Sequence, residues 1–224
     1  MIKSVYPDGT ATRTTYDEYG KVTSNSLNGK TITKYVYDND GNVAKKTDIP
    51  GGVTTKYDYN DSNLLVRSEV YAGESTASKD LESRMQYTYT KSGKVGTLSY
   101  QEKDSDVKTY TYTYEKDDRP EKSVQPDSSY TYWYYDSLRR NNKIVFSPKA
   151  GASGSKKLYT VLAYRDAQLK TAEGKTKKAT TGLVSEYTNR FGSTGTPVSR
   201  FSYTYDEWGN ITKILELTTG KTRK

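Results

Sequence analysis

The chain has 224 residues, room for one large domain or two small ones, and carries 35 Lys and Arg against 27 Asp and Glu, a formal net charge of +8. Only 32% of residues are hydrophobic, yet 23 are tyrosines, which argues against disorder and for a folded chain with a thin core. Histidine and cysteine are absent, which excludes disulfides, thiol chemistry, the usual zinc ligands and any Ser-His-Asp or Cys-His arrangement. No apolar run approaches the roughly 18 residues of a membrane helix.

The first residues, MIKSVYPDGT, enter a turn at once and lack the apolar stretch of a signal peptide. With repeat motifs at both ends, the chain reads as an internal segment of a longer protein. Its first strand, ATRTTY, leads into YDEYGKV from Tyr16, and the arrangement returns as YDNDGNV from Tyr37 and YNDSNLL from Tyr59. Then follow YTKSGKV from Tyr89, YEKDDRP from Tyr114, YDSLRRN from Tyr135 and YDEWGNI from Tyr205, with YRDAQLK from Tyr164 as a decayed copy. From Tyr16 to Tyr135 the steps are 21, 22, 30, 25 and 21 residues, the range of repeated supersecondary units.

Each motif has a local physical reading. Asp17, Asp38 and Asp206 stand where a type I turn takes a side-chain acceptor. Gly20, Gly41 and Gly209 stand at its fourth position, where positive φ is needed, or form the bulge of a three-residue hairpin loop. A second class of reversal falls between these turns, at YPDGT, NGK, IPGG and QPDSS, with Asn28-Gly29 predicted as type I′. Pro7 to Tyr16, Asn28 to Tyr37, Pro50 to Tyr59 and Pro126 to Tyr135 are each nine residues, as a fixed cross-strand register requires. Strands TITKYVY, VTTKYDY, TYTYTY, SYTYWYY and KLYTVLAY alternate β-branched or aromatic residues with polar ones. The only stretch with any helical character is SKDLESRMQY from Ser78. Residues 72–83, 147–157 and 170–182 are expected to be irregular loops within a single domain of residues 1–224.

These repeats, FSYTYDEWGNI at Phe201 to Ile211 above all, resemble the YD repeats of Rhs-type proteins. The resemblance covers residues 1 to about 148 and 200 to 215; the chain departs from the family in lacking its terminal plug region and its DPxG-like junction. It implies an all-β antiparallel meander of hairpins forming a curved sheet, a segment of a spiral β-shell. It also implies a noncatalytic role in a larger exported bacterial protein, as the wall of a casing around a C-terminal toxin or cargo domain. The partners would then be that domain and flanking shell repeats, and the place would be extracellular or at the cell surface.

Other functions are weighed against this. The turn acids, such as Asp38 with Asp40 or Asp58 with Asp61, are explained by hydrogen bonds to turn backbone, so neither catalysis nor a metal is expected. No cofactor is expected either. Trp208, at a variable turn position with more reason to be exposed, and Trp133 less so, would suit a sugar face, which makes a carbohydrate or cell-surface binding module the alternative. Nucleic acid ranks lower: Arg139-Arg140 and Lys175 to Lys178 are the best basic patches, among lysines that suit solvated strand faces. Open sheet edges would permit edge-to-edge self-association.

Overall fold

The computed structural model describes residues 2–170, 174–218 and 222–223. The described residues form strands joined by turns, with two single 3₁₀ turns, Ser78–Asp80 and Gly154–Lys156, and no α-helix. The chain divides into two units, residues 1–111 and 112–224.

In the first unit the strands are β1 (Ile2–Val5), β2 (Ala11–Tyr16), β3 (Val22–Leu27), β4 (Lys30–Tyr37) and β5 (Val43–Asp48). They continue as β6 (Val53–Tyr59), β7 (Leu65–Ala72), β8 (Leu81–Tyr89), β9 (Val95–Glu102) and the first residues of β10 (Lys108–Tyr114). Each pairs antiparallel with the next. The second unit holds β11 (Pro120–Val124), β12 (Tyr130–Tyr135), β13 (Asn141–Ser147) and β14 (Leu158–Lys170). After them come β15 (Thr176–Phe191), β16 (Pro197–Tyr205), β17 (Ile211–Glu216) and β18 (Thr222–Arg223), again paired in sequence. Both units are all-β antiparallel meanders.

Alternation decides what is covered. In β10 the tyrosines at 110, 112 and 114 are half-buried and the threonines between them exposed, so the run presents one phenol face. Burial is shallow elsewhere too: among the described residues only Tyr71, Val145 and Ala152 are buried hydrophobics, and the most buried side chains are Thr54 and Ser147. The polar face holds itself together with hydroxyl pairs, such as Thr15 to Ser24 at 2.7 Å and Thr88 to Thr97 at 2.7 Å. Stability therefore rests on ladders and cross-strand pairs rather than on a thick interior.

The segments expected to be irregular differ among themselves. Residues 72–83 carry the Ser78–Asp80 turn, and β8 begins within them at Leu81; residues 147–157 carry the Gly154–Lys156 turn between β13 and β14. Residues 170–182 are different, because β15 begins at Thr176. The pairing Asp166↔Thr180 to Lys170↔Thr176 gives this backbone its ladder partners, while residues 171–173 lie outside the described residues. Tyr164 still pairs with Val184 across a register shift, as Tyr16 pairs with Val22. A hairpin arm thus stands where the other repeats have a tight turn.

Candidate functional site

The repeated feature with the most defined geometry is the tyrosine turn. In the first copy Asp17 N–H donates to the Lys21 carbonyl at 2.9 Å and Gly20 N–H to the Asp17 carbonyl at 3.2 Å. The Asp17 carboxylate accepts from Tyr19 N–H and Lys21 N–H. Asp38 accepts from Asn42 N–H, and Asp206 from Trp208 N–H and Asn210 N–H. Burial alone would push the Asp38 carboxyl up, but bonds from the Asn42 backbone and side chain outweigh it and hold the group below its ordinary value.

The fifth residue of every copy that keeps the tight turn has positive φ: Gly20, Gly41, Gly93 and Gly209 lie at 80° to 88°. Where glycine is missing, Asn63, Asp118 and Arg139 take 57°, 63° and 64° instead. The turn shape therefore outlasts the loss of the residue best suited to it. Each turn closes on a bulge, so that Tyr16, Tyr37, Tyr59, Tyr89 and Tyr205 pair with the residue six positions on. At Asn28 and Gly29, φ of 49° and 80° give the expected type I′ turn.

What the tyrosine does is not visible from the turn itself. Its hydroxyl reaches back to the preceding strand and donates to the carbonyl of the residue that follows the previous turn. Tyr37 donates to Val22 at 2.9 Å, Tyr59 to Val43 at 3.2 Å and Tyr89 to Leu65 at 2.5 Å. In the second unit Tyr135 donates to Pro120 at 2.8 Å, Tyr164 to Asn141 at 2.5 Å and Tyr205 to Val184 at 2.7 Å. A cation often lies on the same ring: Arg119 is 4.1 Å from the Tyr135 centroid, Arg140 4.1 Å from Tyr164, and Lys21 5.2 Å from Tyr37. Burial first of all pushes the Tyr37, Tyr59, Tyr89, Tyr135 and Tyr205 phenols up.

The remaining candidates do not converge. Trp208 sits at the turn tip, 80% exposed, whereas Trp133 lies half-buried in β12 opposite Ile144. The two rings thus have different settings. Asp58 is not a turn residue: it lies in β6 and receives the Arg67 guanidinium at 2.5 Å, while Asp61 stays in the turn. Arg139, still exposed, pairs with Asp117 at 2.9 Å and the less exposed Arg140 with Asp136 at 2.6 Å, so a carboxylate partly neutralises each. The side chains of Lys177 and Lys178 lie outside the described residues.

Two further features were not read from sequence. Glu69, 4% exposed in β7, accepts from the Tyr71 hydroxyl at 2.7 Å and from Arg84 at 2.7 Å, with Arg67 at 4.0 Å. Burial drives its carboxyl up, and those partners together bring it below the usual range; Tyr71 is pushed up to about 12, by burial first and then by Glu69. An open groove of about 530 Å³ lies between the first two turns, lined by Tyr19, Lys21, Tyr35 and Tyr37 among others. Among the described residues no group of three or more Asp and Glu gathers to hold a metal, and no helix is long and apolar enough to cross a membrane.

No protein-family profile matches the chain, and no curated protein matches it. The fold is similar to part of a chain in the Photorhabdus luminescens Tc holotoxin pore structure, at 14% identity and a TM-score of 0.56. That match covers 96% of this chain and 12% of that one, so this chain spans about an eighth of the other's length. A TcdB2–TccC3 crystal structure aligns at 14% identity over 96% of this chain and 15% of that one, with a TM-score of 0.33. A porin-like protein from Bacteroides uniformis aligns at 12% identity over 99% and 91%, with a TM-score of 0.36. The last two scores are too low to weigh, and the first is a likeness of fold.

Proposed function

We propose that the chain is a noncatalytic run of YD/Rhs-type repeats that forms part of the wall of a casing around a C-terminal toxin or cargo domain in a longer exported bacterial protein. The observation that carries this reading is the back-reaching tyrosine bond, seen at six tyrosines among the described residues, which ties these repeats to the strand before them. Such ties suit a wall that grows repeat by repeat. The likeness of fold to a segment of a much longer Tc holotoxin chain supports the same reading. The extracellular or cell-surface setting and the single-domain description of residues 1–224 belong to this proposal, as do flanking repeats as partners.

The test is protease protection of the C-terminal region in the longer protein, compared with that region expressed alone. Protection only in the longer protein supports a closed casing; equal digestion removes that reading. A carbohydrate-binding alternative is favoured by one observation, the 80% exposed Trp208 at its turn tip. Saturable quenching of its fluorescence by a saccharide, lost in Trp208→Ala, would move the assignment to a surface-binding module.

A further inference from the structure

One face of β11 to β15 is unlike the rest of the sheet. Register places Lys122 opposite Tyr132, Tyr132 opposite Val145, Val145 opposite Tyr159, and Tyr159 opposite Arg190. The flanking rows add Tyr134 opposite Lys143, and Tyr130 opposite Ser147. Since side chains two apart on a strand share a face, these residues form one checkerboard of phenols and cations. Its floor is closed: Val145 is 5% exposed and Ser147 fully buried.

The cations have aromatic company instead of acidic company. Lys143 Nζ lies 3.9 Å from the Tyr134 centroid, and Lys122 Nζ lies 5.0 Å and 5.2 Å from Tyr132 and Tyr130. Lys157 Nζ stands 5.5 Å from the Tyr130 centroid, and its ammonium beside the hydroxyl first of all holds that phenol below its ordinary value. Four of the seven cation–ring contacts among the described residues fall here. Arg190 contributes a buried Nε–H that has no acceptor. Glu186, farther along β15, is already taken by Arg200 at 2.7 Å. The patch therefore presents three ammonium groups with no carboxylate paired to them among the described residues.

We propose that this patch binds an acidic polypeptide segment, whose carboxylates it receives on Lys122, Lys143 and Lys157. Charge complementarity selects an anion, and the rings select among anions. A nucleic acid or a sugar would need open ring faces for stacking, but here ammonium groups cover faces of Tyr130, Tyr132 and Tyr134. An extended peptide needs no stacking. Its alternate carboxylates, about 6.8 Å apart, match the spacing of alternate residues along the strands of the patch. The inference does not depend on the casing reading, since a free module would use the patch in the same way.

The test measures anisotropy of fluorescein-labelled decaglutamate with the full chain, in parallel with labelled oligothymidylate and a sulfated oligosaccharide. Lys122→Gln, Lys143→Gln and Lys157→Gln combined should weaken decaglutamate binding about tenfold or more. The same charge loss at exposed Lys3, Lys30 and Lys91 should change it less than about threefold, and the Lys→Arg triple at the patch should retain it. Unchanged circular dichroism identifies variants that remain folded. Equal weakening by the two Gln triples, absence of decaglutamate binding, or patch-dependent preference for oligothymidylate or the saccharide would each overturn the proposal.

Discussion

Consider replacing Tyr37, Tyr59 and Tyr89 together by phenylalanine. Each change removes one hydroxyl and leaves the ring, so packing against the strand is kept. What goes is one bond to a backbone carbonyl, at 2.9, 3.2 and 2.5 Å respectively. A neutral hydrogen bond contributes about 1 kcal/mol net, and these carbonyls belong to half-buried residues that water can partly reach, which argues against a larger figure. The three bonds share no partner, so their effects should nearly add, to about 3 kcal/mol. The matched control is Tyr35, Tyr57 and Tyr110 to phenylalanine, also half-buried tyrosines. Urea unfolding followed by tyrosine fluorescence reads the difference as a shift of midpoint at constant slope. If both triples lower stability equally, the hydroxyl bonds do not hold the repeats together and the argument from them fails.

Other outcomes follow from the same structure. Arg139→Gly should raise stability by about 0.5 kcal/mol, because relief of a left-handed residue exceeds the loss of an exposed pair with Asp117, whereas Arg139→Ala should not; urea midpoints decide. Glu69→Gln should cost about 2 kcal/mol at neutral pH by leaving Arg84 without its carboxylate. It should also flatten the acid limb of the stability curve. The folded Glu69 carboxyl lies below its unfolded value of 4.5, so its contribution is present above that pH and fades as pH falls through the folded value. For Tyr71 the sign reverses. Its contribution is whole below pH 10 and lost as pH rises towards about 12, so absorbance titration should show a latest-titrating phenol that Tyr71→Phe removes.

Much of the meander was legible because turns are local. Asp38 and Gly41 lie within one tight reversal, so five consecutive letters carry both the side-chain acceptor and the positive φ. The tyrosine's partner was not legible: Tyr59 meets Val43, sixteen positions back, and only the ladder register brings them together. The same holds for Lys122 and Tyr132, whose shared face needs the β11–β12 pairing. Residues 176–182 misled for another reason. Their lysines and glycine suggest a loop, but pairing with β14 supplies the backbone partners that composition did not announce. Asp58 was grouped with turn acids because it stands directly before the turn motif that starts at Tyr59, and alternation instead sends it across the strand to Arg67.

The arm between Tyr164 and Val184 shows what the tyrosine bond permits. Tyr164 still reaches Asn141, and Val184 still receives Tyr205, although a hairpin has been spliced between them. Each repeat brings a donor for its predecessor and an acceptor for its successor. Whole repeats can therefore be duplicated or deleted with every internal donor and acceptor still matched, and a turn can lengthen without disturbing either neighbour. Length becomes a heritable variable that the fold tolerates in steps of about 21 residues, at almost no cost in unpaired backbone.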